Sequence, residues 1–533
     1  WNRVSIIPDM EEDLDTSEAN ILKLLEDINS SKSPGPDRIS PRILKEARNV
    51  LASPLSYLFS KSIAMGKLPE DWKLAYISPI HKKGDRRIAL NYRPVSLTSV
   101  VCKLLEKVVR LGIVNHMNRH KLFSTKQHGF LSGRSTLLQL LLVLEKWTKA
   151  LERGEDVDVV FLDFQKAFDK VPHQRLIDTI KYNGIRGSTE VWIREFLSGR
   201  RQRVVVKGSN STWKDVISGI PQGSVLGPIL FIVYINSLPD VVIGSDVYLF
   251  ADDVKIFKSI CHPQDQNTLQ GDIHNMYEWT KDSLLVFNPQ KCSSMTISRH
   301  HTEDNQRIYE MNSNQLKVSS SERDLGVIVD NRLSFEEHIW SKIKKANSIM
   351  GIIRRTYTHL DDSTFLLLYK ALVRPHIEYA NQIWCPFLRK HIDGIENVQR
   401  RATRLLPNMN GLTYEERLQR LKLPTLAYRR VRGDLIEVFK LLNGRYDSEV
   451  AEGLLTMNPR VSRGHQFKLT KERAMLNIRK YYFTNRVVDL WNNLPKWVVE
   501  ANDTKCFERN LDQFMSNHPI RFDHRARLDW HHE

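Results

Sequence analysis

Cysteine is scarce in this chain. Cys102, Cys261, Cys292, Cys385 and Cys506 are the only five in 533 residues, and no two form a CxxC pair. That spacing argues against a disulfide framework and a compact zinc knuckle. Cys506 with His518, His524, His531 and His532 lacks ligand spacing as well, and reads as solvated surface. Long apolar runs are also missing. The longest, SVLGPILFIVYI at 224–235, is too short and too interrupted to span a bilayer. No signal-peptide pattern opens the chain, no internal repeat recurs and no low-complexity tract interrupts it. These absences predict a globular intracellular protein, nuclear or cytoplasmic, with no membrane contact. The chain opens on Trp1 rather than methionine, so a piece of a longer protein is expected.

Negative charge is in short supply too. Lys and Arg number 79 against 62 Asp and Glu, a net charge of +17. An excess of this size favours a polyanionic partner, nucleic acid first. It is uneven: residues 331–430 hold 18 Lys and Arg against 9 Asp and Glu, so one stretch carries about half of the excess. The length suggests roughly two to four domains.

Against this basic background, two adjacent acids stand out in FADDVKIF at 250–257. Asp252 and Asp253 lie between VYLF and VKIF, both of strand composition, so a tight turn joins two strands there. An Asp pair suits an ordinary turn, because its side chains bond the local backbone. A third acid raises the stakes. VDVVFLDFQKAFDKV at 157–171 reads as a buried strand that ends in Asp163 and runs into a helix. A carboxylate at the mouth of a buried strand is costly unless paired. If the two strands are neighbours, three carboxylates converge, and they need cations to remain ionised. Two Mg²⁺ ions would meet that need, with phosphate and water completing their shells. Helix capping by Asp163 is the plainer alternative.

Other segments fit a mixed helical and stranded chain. SEANILKLLEDINSSKSPGPDRISPRILKEA (17–47) reads helix, rigid basic turn, helix; WKLAYISPIHKKGD (72–85) reads as a strand entering a basic turn. A Gly-rich loop, QHGFLSGRST, precedes an apolar helix ending near Trp147. DLGVIVD (324–330) is predicted as one strand, 334–404 as mainly helical, and the pattern weakens beyond Pro407.

The order of these pieces resembles the reverse transcriptases of non-LTR retrotransposons, nearest the jockey-like group. KSPGPD, PIHKKGD…NYRPVSL, QHGFLSGRST, FLDFQKAFDKV, GIPQGSVLGPILF, FADD and NPQKC carry the likeness, extended by DLGVIVDNRLSFEEHI and LVRPHIEYANQIW, over about residues 20 to 405. The resemblance implies an α+β right-hand polymerase of fingers, palm and thumb with a helical C-terminal extension. The expected limits are 1–155 for an N-terminal extension and fingers, 156–310 for a palm with fingers residues interleaved, 311–405 for the palm end and basic helical thumb, and 406–533 for a region of unknown role. It implies an RNA-directed DNA polymerase lacking the N-terminal endonuclease. Its expected cofactor is Mg²⁺, two ions, with Mn²⁺ as a substitute. Its expected partners are an RNA template, a DNA primer and deoxynucleoside triphosphates. No feature sets an oligomeric state.

The resemblance also implies roles at matched positions. Asp163 and Asp252 correspond to the metal-binding pair, Asp253 to the third acid, and the Phe164 carbonyl to a further ligand. Phe168 corresponds to the ring that blocks a ribose 2′-hydroxyl, although it also suits ordinary core. Gln222 and Gly223, with Gly219 nearby, correspond to a loop packing near the incoming nucleotide, where glycine permits close approach. Arg93 and one of Lys82 or Lys83 correspond to triphosphate contacts, with a solvated basic turn as the alternative for the lysines. Lys291 corresponds to a proton donor for the leaving pyrophosphate. From the charge of 331–430, Arg400, Arg401 and Arg404 are expected on a duplex backbone. A catalytically silent nucleic-acid-binding remnant and an RNA-templated RNA polymerase remain alternatives.

Overall fold

The structure, a computed structural model, describes residues 7–10, 14–299, 307–459 and 464–528; Trp1, His531 and His532 lie outside them. Two sheets organise the chain. In the first, the strand Leu74–His81 pairs antiparallel with Tyr92–Leu97 and parallel with Arg201–Val206. A late segment therefore returns to an early sheet.

The second sheet runs in the order Lys317–Val318, Ser293–Ile297, Asp156–Leu162, Asp253–Ile260, Asp246–Phe250. Every pairing in it except the one with Lys317–Val318 is antiparallel, which together with segregated helices makes an α+β architecture. Asp156–Leu162 is central and covered on both faces, which explains its apolar run in place of alternation. Val160 and Leu162 enter one core with Val254 and Ile256. Val157 and Val159 enter another with Tyr248, Phe257, Met295 and Ile297.

The first core encloses the helix Gly227–Ile235, whose sequence GPILFIVYI is apolar on every side and so can only be buried. The second core joins the helix Thr136–Arg153 to Glu336–Thr356, Arg389–Thr403, Leu426–Leu442, Phe483–Asn492 and Thr504–Phe514. The stretch beyond Pro407, where the sequence pattern weakens, is thus helical and shares a core with a helix from the first third of the chain. Its caps are legible after the fact: Thr413 and Glu416 form a reciprocal capping box. Polar contacts reinforce the union. Arg479 holds Glu145 at 2.7 Å and Arg134 holds Asp447 at 2.8 Å. His524 contacts Asp393 at 3.0 Å, so it is committed elsewhere than to Cys506.

One expectation needs correcting. DLGVIVD is a hairpin, Ser321–Asp324 with Val327–Asp330, and not a single strand. Leu325 and Gly326 both take positive φ, 45° and 88°, the geometry of a two-residue hairpin turn. Among the described residues no helix is long and apolar enough to cross a membrane.

Candidate active site

The two acid-bearing strands are neighbours. Leu162 pairs with Val254 and Phe250 pairs with Asp253, so Asp163, one residue past its strand, emerges beside the Ala251–Asp252 turn. A two-residue loop suits this hairpin, but it forces Ala251 into the left-handed region at φ +55°.

The acids on the central strand differ in their company. Asp158, 1% exposed, is occupied by Thr296 Oγ1 at 2.7 Å, Tyr309 OH at 2.5 Å and Arg307 Nη1 at 3.1 Å. It is a structural acid. Asp163 stands at the strand mouth and accepts from Lys291 Nζ at 2.8 Å, with both side chains partly exposed. Behind it, its backbone N–H points at Cys292 Sγ, 3.5 Å away. Burial first, and then the Asp163 charge, push the Cys292 thiol up to about 11, so it is a packing group at neutral pH.

The turn acids are electrostatically stressed. Burial raises Asp252 above the ordinary carboxylate range; the Asp163 charge adds to this, while its own backbone N–H and the Arg93 and Lys82 charges oppose it. Asp253 keeps an exposed edge, yet partial desolvation against the sheet end lifts it to about 6, helped by the charges of Asp252, Asp324 and Asp163. Repulsion of this kind is relieved by cations. Among the described residues no three His, Cys, Asp or Glu side chains close on one point as a finished cage. The donor set nevertheless suits a hard cation that keeps much of its water. It offers carboxylates from Asp163, Asp252 and Asp253. It also offers the Phe164 carbonyl, because the backbone bridge between Phe164 and Phe287 uses the carbonyls of Asp163 and Val286 instead.

The first sheet reaches this cluster. Arg93 and Lys82 are exposed on the hairpin Leu74–His81/Tyr92–Leu97, with Ile80 opposite Arg93 and Lys82 N–H bonding Asn91 at 2.8 Å. Both candidate lysines are exposed, and Lys82 is among the charges that act most on Asp252.

Phe168 is half-buried, stacked on Phe231 with ring centres 4.3 Å apart and edge-on to the exposed Phe130 at 6.4 Å. Its ring is therefore anchored on one side and open on another. Gln222 Nε2 donates to Asp169 Oδ1 at 2.8 Å, tying the IPQGS loop to the turn that carries Phe168. The close approach permitted by Gly223 is to protein backbone: at φ +130°, a Cβ there would sit 2.3 Å from the Ser96 carbonyl oxygen.

Arg400, Arg401 and Arg404 belong to the helical half of the molecule, at the end of the helix Arg389–Thr403. Arg401 and Arg404 are exposed. Arg400 is partly spent, bonded to Asn397 at 3.0 Å with its guanidinium 5.0 Å over the Tyr414 ring.

Sequence reasoning missed a buried ion pair behind the turn. Lys255 Nζ donates to Asp324 Oδ2, with side chains 4% and 5% exposed. The signal was a lysine inside the apolar run VKIF.

Residues 80–329 match the family described as reverse transcriptase (RNA-dependent DNA polymerase). The chain is 29% identical over 417 residues to the probable RNA-directed DNA polymerase from transposon X-element of Drosophila melanogaster, covering 75% of this chain and 45% of that protein. It is 28% identical over 404 residues to the probable RNA-directed DNA polymerase from transposon BS of the same species, covering 72% and 44%. It is 28% identical over 449 residues to the RNA-directed DNA polymerase from mobile element jockey of Drosophila funebris, covering 80% and 47%. The chain therefore spans under half the length of these curated relatives. Residues 80–329, which include Asp163, Asp252, Asp253 and Asp324, match the reverse transcriptase family, and most of the chain is similar to the polymerases named for the jockey, X-element and BS elements.

Proposed function

We propose that this chain is the polymerising part of an RNA-directed DNA polymerase, copying retrotransposon RNA into DNA. The observation that carries the reading is the meeting of Asp163, Asp252 and Asp253 at one end of the second sheet, with Arg93 and Lys82 from the first sheet's hairpin acting on Asp252. On this reading the first sheet belongs to the fingers, the second to the palm, and the basic helices after Ser334 to the thumb.

The primer's terminal hydroxyl attacks the α-phosphate of a deoxynucleoside triphosphate, and pyrophosphate leaves. Asp163, Asp252 and the Phe164 carbonyl would hold magnesium, with Asp253 beside them. When bound, the metal favours the ionised hydroxyl and offsets phosphate charge. The protein's own contribution is placement. Arg93 offers a planar fork to phosphate oxygens and Lys82 a point charge. Phe168, backed by Phe231, closes the space a 2′-hydroxyl would enter. Lys291, which bonds Asp163 at 2.8 Å, would give a proton to the departing pyrophosphate.

Primer extension on an RNA template tests this. Asp163→Asn or Asp252→Asn should lower deoxynucleotide incorporation by at least about a thousandfold while RNA affinity survives. Near-normal extension by either variant would refute the site.

A further inference from the structure

The turn that carries Asp252 and Asp253 is strained at Ala251, a left-handed non-glycine residue at φ +55°. Such a conformation persists only where its surroundings over-determine it. Besides the hairpin itself, one side chain bonds this residue directly. Gln127, 1% exposed, accepts the Ala251 N–H on Oε1 at 2.9 Å and aims Nε2 at the Ala251 carbonyl 3.4 Å away. Its Oε1 also accepts the Gly129 N–H at 2.7 Å. Around it the loop lies against the strand before the turn: His128 N–H bonds the Leu249 carbonyl at 2.8 Å, and Leu249 N–H bonds the Lys126 carbonyl at 2.9 Å. A Cβ on Gly129 would stand 2.5 Å from the Ala251 nitrogen, so the contact admits only glycine.

What holds Gln127 comes from the far end of the chain. Arg134, its side chain 7% exposed, ties both ends of the loop by donating Nη1 to the Ser124 carbonyl at 2.5 Å and the Gln127 carbonyl at 2.6 Å. Arg134 is in turn gripped by Asp447, whose Oδ2 accepts from Nε at 3.0 Å and Nη2 at 2.8 Å. The Asp447 N–H bonds the Gly133 carbonyl at 2.9 Å.

We infer that Gln127 is a positioning residue for the acid turn, and that Asp447 of the C-terminal region locks it through Arg134. This gives the stretch beyond Pro407 a role in nucleotidyl transfer, and it rests on the polymerase reading above. The line of contact is Asp447, Arg134, the 124–127 backbone, the Gln127 amide, Ala251. A misplacement of under an ångström at Asp252 would be felt as rate, since the reacting groups must be held in a near-attack geometry.

The test compares the full chain with Asp447→Ser, Gln127→Leu and the double variant. Serine keeps the cap that Asp447 gives the Glu449 N–H but cannot reach Arg134. Asp447→Ser should lower kcat about tenfold and Gln127→Leu about a hundredfold, with KM for the deoxynucleotide and duplex Kd within about twofold of the parent. The double variant should be no slower than Gln127→Leu alone, because Asp447 acts through Gln127. Hydrogen exchange at 249–252 should quicken in Asp447→Ser. Glu449→Ala, which breaks only the exposed pair with Lys121, should change neither readout. Unchanged exchange and kcat in Asp447→Ser would overturn the inference; so would multiplicative losses in the double variant, or equal losses in Glu449→Ala. If the parent chain extends no primer, the polymerase reading falls, and exchange at 249–252 still decides the link.

Discussion

Asp324→Leu strikes at the ion pair beneath the acid turn. Lys255 and Asp324 are 4% and 5% exposed, so neither charge has water to fall back on. Removing one partner of a buried pair costs about 3–5 kcal/mol, because it strands the other charge. Asp253, two residues along the strand and carrying a charge felt by Lys255, offsets part of this, so the lower end, about 3 kcal/mol, is the expected loss. Native-state hydrogen exchange along Asp253–Ile260 reads local opening directly, and its protection should fall about a hundredfold, a factor of ten for each ~1.4 kcal/mol. The pH dependence has a definite sign. Burial lowers the Lys255 pKa, so the folded state favours its neutral form, and the loss in Asp324→Leu should shrink as pH rises from 7 towards 9. Lys255→Met/Asp324→Leu replaces the pair by apolar groups of similar length and should recover to within about 1 kcal/mol of the parent. Additive losses in the double variant, or protection unchanged in Asp324→Leu, would show that the pair is not energetically coupled.

Phe168→Ala should admit ribonucleotides in primer extension, with a stability loss of about 1–2 kcal/mol from the vacated stack on Phe231; strict deoxynucleotide preference in a folded variant would make Phe168 core alone. Neutralising Arg401 and Arg404 should reduce the logarithmic salt slope of duplex binding by about two units without changing sequence preference, and adding Arg400→Gln should change it little further, since Arg400 already lies over Tyr414. Mg²⁺ should raise the melting temperature at pH 7.5 but not at pH 4: the metal-free fold favours protonated Asp253, with a pKa of about 6, so stability is lost as pH rises through that value and a divalent cation restores it only where the carboxylate is ionised. A metal-induced shift of equal size at both pH values would mean that binding does not involve these acids.

Local chemistry alone determined a good deal of this protein. The apolar run before Asp163, the acid pair between two short strands and the glycine-rich loops are patterns of a few residues, and backbone propensity acts over that range. The sequence order of the motifs sufficed to point to the reverse transcriptase family. Tertiary structure decided what those residues meet. FADDVKIF does not say that Lys255 will lie against Asp324, because that contact depends on how a later hairpin docks. Nor does DLGVIVD announce its own reversal, since its alternation is shared by one long strand and two short ones until Leu325 and Gly326 take positive φ. Lys82 and Lys83 are adjacent and chemically alike, and only the fold makes Lys82 one of the charges that act most on Asp252. The helices beyond Pro407 bury one face each in a core shared with Thr136–Arg153, a partner that their own local sequence does not name. Coulomb forces and close packing depend on distance in space, and the chain brings Asp447 to Arg134, and Gln127 to Ala251, only after it has folded.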